Sequence, residues 1–281
     1  MTRRSLLSEF CEAVRLFVEV AEQTRRTRLL AKVERRLEKA IGRGFDEQRD
    51  LFLKKLALPV EEAAGEPPVF PQWESIWDEV GRTTLPVMAA AVDEAVQYSF
   101  TVGAEQTIGT LGGDIAFDLA VPEATAYLEN HGAELVTKIN ETTRDRLRTT
   151  ITNGLEQGKS YGQIARDITD TFDGFTGKWP QAHLRNRAHA VAVYETGDAY
   201  EAAGEAVSQH LAGEGLEMQK GWLTAGDSKV RPAHRANAAQ GWIPADQEFQ
   251  SGHMRPPTDP GCRCATKRRV RPEVEQGELA A

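Results

Sequence analysis

The residue types best suited to chemistry gather between Trp222 and Cys264, in WLTAGDSKVRPAHRANAAQGWIPADQEFQSGHMRPPTDPGCRC. This stretch holds two of the three cysteines, two of the six histidines and two of the five tryptophans. His234, His253, Cys262 and Cys264 supply the imidazole and thiolate donors of a Cys2His2 zinc site. Their spacing is unlike that of a zinc finger, because Cys-x-Cys is tighter than the usual Cys-x2–4-Cys and both histidines precede it. The competing reading is a reduced, packed cysteine pair beside two turn histidines. The spacing favours that reading, so no cofactor and no metal are expected.

Acid–base chemistry is the next possibility. His234, Asp227, Arg231, Glu195 and Tyr194 are the right types for work on phosphodiesters or nucleotides. No spacing fixes such a site, and a structural account uses the same side chains. Asp227 caps a turn, and Arg231 pairs with Glu195 where a helix meets a sheet. A non-enzymatic protein is therefore expected, with a nuclease or nucleotide transferase as the rival. Basic residues offer a third chemistry. Lys267, Arg268, Arg269 and Arg271 follow the cysteine pair, and Arg255 and Arg263 lie just upstream. Such a cluster contacts the phosphates of double-stranded DNA without reading sequence; a solubilising tail has the same composition. Aromatic residues are not interleaved with it, which gives no support to single-strand stacking.

These residues must be positioned by a small, irregular module. No helical period runs from Trp222 to Cys264. Five prolines and the turn formers Ala225-Gly226-Asp227, Gln240-Gly241, Ser251-Gly252 and Asp259-Pro260-Gly261 punctuate it. That pattern predicts short strands joined by tight turns, a three-stranded sheet over residues 216–270 with Trp222 and Trp242 as its core.

Upstream the chain reads as helix. Residues 1–56 carry apolar stripes at Leu6, Phe10, Val14 and Phe17, then at Leu29, Leu30, Val33, Leu37 and Ile41. Cys11 falls on the apolar side, and Gly42 and Gly44 predict a break. Residues 57–71 form a linker containing Pro59, Pro67, Pro68 and Pro71. A helical connector region comes next, over 72–116. Trp73 and Trp77 open it at a spacing that buries both rings, Pro86 kinks or breaks it, and the Gly-rich run 102–114 joins it to the segment beginning at Phe117. That run lacks the lysine and spacing of a phosphate loop. Beyond Phe117, a short helix is expected to stop at His131-Gly132. A long helix then runs from Ala133 to Leu155 and ends at Gly158. Ser160 with Gln163 forms a capping box for the next helix, and another spans 181–212. The expected fold class is α+β, with mostly helical N-terminal and middle regions, a small C-terminal strand-rich domain and a tail at 271–281.

The chain has 281 residues and a net charge of −8. No apolar run is long enough for a membrane span, the N-terminus shows no secretory signal, and three cysteines make no disulfide framework. Charge is segregated. Residues 1–56 carry 14 basic and 9 acidic side chains, residues 57–228 carry 11 and 27, and residues 229–271 carry 9 and 3. Basic ends suit contact with nucleic acid or an acidic protein; the acidic middle does not.

The order of four blocks carries a family likeness. They are FDLAVPEA through GKSYGQIARDI, RAHAVAVYETGDAYEAAGEA, KGWLTAGDSKVRPAHRANAAQGWIPADQEF and PPTDPGCRCATKRRV. Together they resemble the phage head morphogenesis family typified by protein F of phage Mu. The likeness covers 117–270, and its most specific positions are Trp222, Asp227, Arg231, His234, Cys262 and Cys264. The resemblance implies a minor capsid protein of the virion, at the portal vertex, acting in head assembly, DNA packaging or genome delivery. The partners it implies are the portal protein, other head proteins and packaged DNA, and no membrane. An effector enzyme delivered with the genome is the alternative.

Overall fold

A computed structural model describes residues 3–56, 73–112, 121–176, 187–259 and 261–272, with side chains of the first helix described from residue 24 onward. The elements run α1 (Arg3–Leu56), α2 (Trp73–Leu111), α3 (Pro122–Glu156), α4 (Tyr161–Thr176), α5 (Arg187–Gly213), β1 (Met218–Leu223), α6 (Pro232–Ala239), β2 (Ile243–Pro244) and β3 (Ala265–Val270). The fold class is α+β: long helices and one small antiparallel sheet near the C-terminus. The linker expected at 57–71 lies outside the described residues, as do most of the 271–281 tail and the start of the helix expected at 181.

Two compact units form. One comprises Met1–Val33, Tyr98–Thr125 and Tyr194–Ala281; the other comprises Glu34–Gln97 and Ala126–Val193. In the second, the core is aromatic. Trp73 and Trp77 are both buried, as their spacing predicts. Trp77 meets Phe52 edge-on at 5.7 Å and Phe172 at 6.3 Å, and Phe175 meets Phe45 at 5.0 Å. One arm of the expected capping box forms, the Ser160 amide donating to Gln163 Oε1 at 2.8 Å; the Gln163 amide goes to the Ser160 carbonyl instead of its hydroxyl. Gly158, at φ 64°, ends α3 as expected.

Several expected helix breaks are absent, and packing explains two of them. α1 continues through Gly42 and Gly44. A Cβ on Gly44 would sit 2.6 Å from Met88 Cγ, so this glycine admits a neighbouring helix rather than ending its own. α2 passes Pro86 and most of the 102–114 run, ending only before Gly112 at φ 68°. Inside that run, Gly103 touches the α5 backbone: a Cβ there would lie 2.3 Å from the Tyr200 carbonyl oxygen. α3 likewise runs unbroken through His131-Gly132. One interior glycine costs about 1 kcal/mol, too little to stop a helix of this length.

The other unit contains the sheet, in the order β2-β1-β3, both pairings antiparallel. Trp222 stands opposite Thr266, and Lys220 opposite both Ile243 and Arg268. Within the stretch expected to lack helix, Pro232–Ala239 forms α6. Pro232 takes the first helical position, where its fixed φ and missing N–H suit a helix start. The core of this module is Trp222, Ile243, Phe249, Cys262 and Cys264. Trp242 is not in it. Neighbouring residues of extended chain point to opposite faces; burying Ile243 turns Trp242 outward, where Lys267 and Arg269 lie 4.9 and 4.4 Å from its ring.

Gly103→Ala should destabilise the protein by about 1–3 kcal/mol, because its Cβ would meet backbone that cannot rotate away. Gly109→Ala, in the same helix with nothing within 4 Å, should be neutral or stabilising. Equal denaturation midpoints for the two variants would refute the close-approach account.

Candidate functional site

Strand β3 begins immediately after the cysteine pair, and α6 begins at Arg231-Pro232. The sheet brings these two points together. His234 Nδ1 lies 3.8 Å from Cys262 Sγ and 3.4 Å from Cys264 Sγ, and all three residues are buried. Both cysteines are free thiols. The Cys264 S–H bonds the Cys262 sulfur and holds the Cys262 thiol well below its usual range. The same shared proton pushes Cys264 up. One sulfur of the pair therefore ionises well before the other.

The imidazole is oriented by its far nitrogen. His234 Nε2 lies 2.9 Å from Thr258 Oγ1, and Thr258 Oγ1 donates to Asp259 Oδ2 at 2.9 Å. A hydroxyl has one proton; donating it to the carboxylate leaves Thr258 to accept from Nε2–H. In the neutral imidazole Nδ1 then presents its lone pair to the sulfurs. Arg231 stands 3.7 Å from Asp259 and completes the relay. Beside the expected Glu195, this gives Arg231 an acidic neighbour that the sequence did not point to: the arginine precedes α6 and faces the Thr258-Asp259 turn. Trp222 packs on the other side, its ring 5.3 Å from that of His234.

His253 lies outside the cluster. Its Nδ1 is 3.1 Å from Ser251 Oγ, and Ser251 is in turn held by buried Asn237 through bonds of 2.8 and 3.0 Å. Asp227 does cap its turn, accepting from the Lys229 amide at 3.0 Å. Two bonds from Arg263, at 2.9 and 2.8 Å, hold its carboxyl below the usual range.

A second set of side chains forms a seam against α5. Asp198, Glu201 and Glu205 fall at steps of three and four residues, one face of a helix. Glu201 is fully buried. Its Oε2 accepts from the Thr266 amide at 3.2 Å and from both terminal nitrogens of Arg268 at 3.4 Å. Its Oε1 lies 3.7 Å from Arg26, which also donates to the Cys264 carbonyl at 2.9 Å. Arg255 pairs with Asp198 at 3.1 Å and with Glu205 at 3.3 Å.

The cluster expected to bind nucleic acid is thereby divided. Arg268 points inward with 7% of its side chain exposed, and Arg255 is held on α5. Arg271 pairs with Glu217 at 3.1 Å, and Arg269 donates to Gln219 at 2.8 Å. Lys267 and Arg269 flank Trp242, and Arg263 is half exposed beside Asp227. Sequence reasoning missed the acidic partners. Their signal was present: a carboxylate stripe at helical spacing on a helix otherwise rich in alanine. Thr258 and Asn237 carried no comparable signal.

The site thus defines a small antiparallel module braced on a helix, with a thiol–imidazole cluster in its core. Residues 145–267 match the family described as Phage Mu protein F like protein. The matched stretch contains α5, the sheet strands up to Lys267 and every specific position of the likeness, which is that of a phage head morphogenesis protein. No curated protein and no solved structure matches the chain. Among the described residues no helix is long and apolar enough to cross a membrane.

Glu201→Ala leaves two arginines without their buried carboxylate and should cost about 3–5 kcal/mol. Asp145→Ala, removing an exposed pair with Arg148, should cost under about 1 kcal/mol. Denaturant unfolding of both variants compares them directly. Buried Lys220, whose Nζ donates to the Met254 carbonyl at 2.9 Å, is pushed down by desolvation to about 8 from 10.5. Between those pH values the unfolded chain binds a proton that the folded chain does not. Stability should therefore rise as pH increases from about 8 to 10.5, and Lys220→Met should remove that slope.

Proposed function

We propose that this protein is a minor capsid protein that acts at the portal vertex, bridging the portal protein and the packaged double-stranded DNA. The observation that carries this reading is the family match across 145–267, the part of the chain holding α5 and the braced sheet. The build of that part suits the role. Its buried ion pairs and tight turns make a rigid piece, and a scaffold is better served by rigidity than by an open cleft. Packaged DNA is met without base readout, through phosphate contacts of Arg263, Lys267, Arg269 and Arg271 at the module surface. Arg255 and Arg268 hold the module together instead.

The test has two arms. Purified heads should contain the protein in few copies relative to the major capsid protein, and the isolated chain should bind the portal. Its binding to two unrelated duplexes should be equal and should weaken steeply between about 50 and 200 mM salt. Lys267→Ala with Arg269→Ala should flatten the log–log salt slope by about 2, at roughly 0.9 per lost phosphate contact. Heads that lack the protein, together with no portal binding, would sink the assembly reading. Sequence-selective or salt-insensitive DNA binding would sink the phosphate-contact part alone.

A further inference from the structure

Three buried soft donors point at one spot. His234 Nδ1, Cys262 Sγ and Cys264 Sγ all lie within 4.8 Å of one another. A tetrahedral zinc ion, with Zn–S about 2.3 Å and Zn–N about 2.0–2.1 Å, sets N···S edges of about 3.6 Å. The two N···S separations here, 3.8 and 3.4 Å, fall on either side of that value. Van der Waals packing of thiols on an imidazole requires no such match on both edges at once.

The second observation is the orientation of the ring. The Asp259–Thr258 relay holds Nε2–H, so in the neutral imidazole Nδ1 is the acceptor nitrogen, and it is turned toward the sulfurs. Metal-bound histidines likewise have their other ring N–H held by an oxygen, of a carboxylate, a backbone carbonyl or a water; here the oxygen is the Thr258 hydroxyl tied to Asp259. A histidine kept only for packing has no need of a fixed tautomer. The third observation is the size of the core. Its buried cluster has five residues, two of which are these cysteines, and modules with cores this small commonly rely on a staple.

We propose that His234 Nδ1 and the thiolates of Cys262 and Cys264 bind one zinc ion, with a solvent oxygen at the fourth corner, and that this ion staples the start of β3 to α6. Binding forms two Zn–S bonds and one Zn–N bond; the remaining thiol protons go to water and no electrons are transferred. Three protein donors agree with the tight Cys-x-Cys step, which places both sulfurs on one side of the ion. His253 is not a ligand. The ion works on the module's stability and is independent of the portal and DNA contacts.

Cobalt titration of the full-length chain tests this, after chelator treatment under reducing conditions. One equivalent should bind with sulfur-to-cobalt charge-transfer absorption and intense tetrahedral d–d bands, and zinc should displace it. Stripping the metal should lower the unfolding temperature, and adding zinc should restore it. His234→Ala should abolish stoichiometric uptake, Thr258→Val should weaken it about tenfold, and His253→Ala should leave it unchanged. Circular dichroism checks that each variant is folded; where one is not, the wild-type titration decides. Full titration of both thiols with no cobalt uptake overturns the proposal. So does a Cys262–Cys264 disulfide in the protein as purified, or loss of uptake in His253→Ala equal to that in His234→Ala.

Discussion

The module depends on one buried carboxylate. Glu201 sits in the middle of α5 with no exposed surface, and an unpaired charge there would be untenable. Its Oε2 is hydrogen-bonded by Arg268 and the Thr266 amide from β3, and its charge is further balanced by Arg26 from α1, an ion pair 3.7 Å from Oε1. Three segments far apart in the chain thus converge on a single side chain. Close packing around it is the consequence. A Cβ at Gly204 would meet the Arg268 guanidinium, so a larger residue there would have to displace that group from its place beside Glu201. Arg26 then reaches the carbonyl of Cys264 and fixes the strand where the cysteine pair ends.

The segregation of charge along the chain takes its meaning from this seam. Basic residues near the C-terminus meet acidic residues of α5 within one unit, Arg255 on Asp198 and Glu205, and Arg268 on Glu201. Part of what resembles a phosphate-binding cluster in the sequence is complementarity inside the fold. Such pairs are directional, so they specify one docking geometry for a sheet whose apolar core is too small to specify it alone.

Much of the architecture was legible. The aromatic spacing of Trp73 and Trp77 and the Gly158 stop are local signals with local consequences and formed as read, as did the Gln163 arm of the Ser160–Gln163 cap. The turn-rich stretch announced a three-stranded sheet, and the order of its motifs announced the family. Errors arose where a residue's role depends on something distant. Gly44 and Gly103 read as breaks because nothing local distinguishes a stop from a contact with Met88 or Tyr200. Trp242 read as core because its orientation depends on which face Ile243 takes. The contact of Arg231 with Asp259 was not foreseen, since Asp259 approaches it only through the turn before the cysteines. Of the four metal-type donors, folding gathers three and sends His253 to Ser251.

The sequence by itself determined the helical periods, the turns, the class of the fold and the family likeness. These arise from short-range sterics and hydrogen bonding and from motif order, all of which lie along the chain. Only the tertiary structure decided which charges are buried and which donors meet. Those outcomes depend on contacts between residues separated by tens to hundreds of positions, as with Arg26 and Cys264. Desolvation then makes each such meeting consequential: away from water, a carboxylate must find its arginine, and an imidazole nitrogen must find its partner, for the fold to stand.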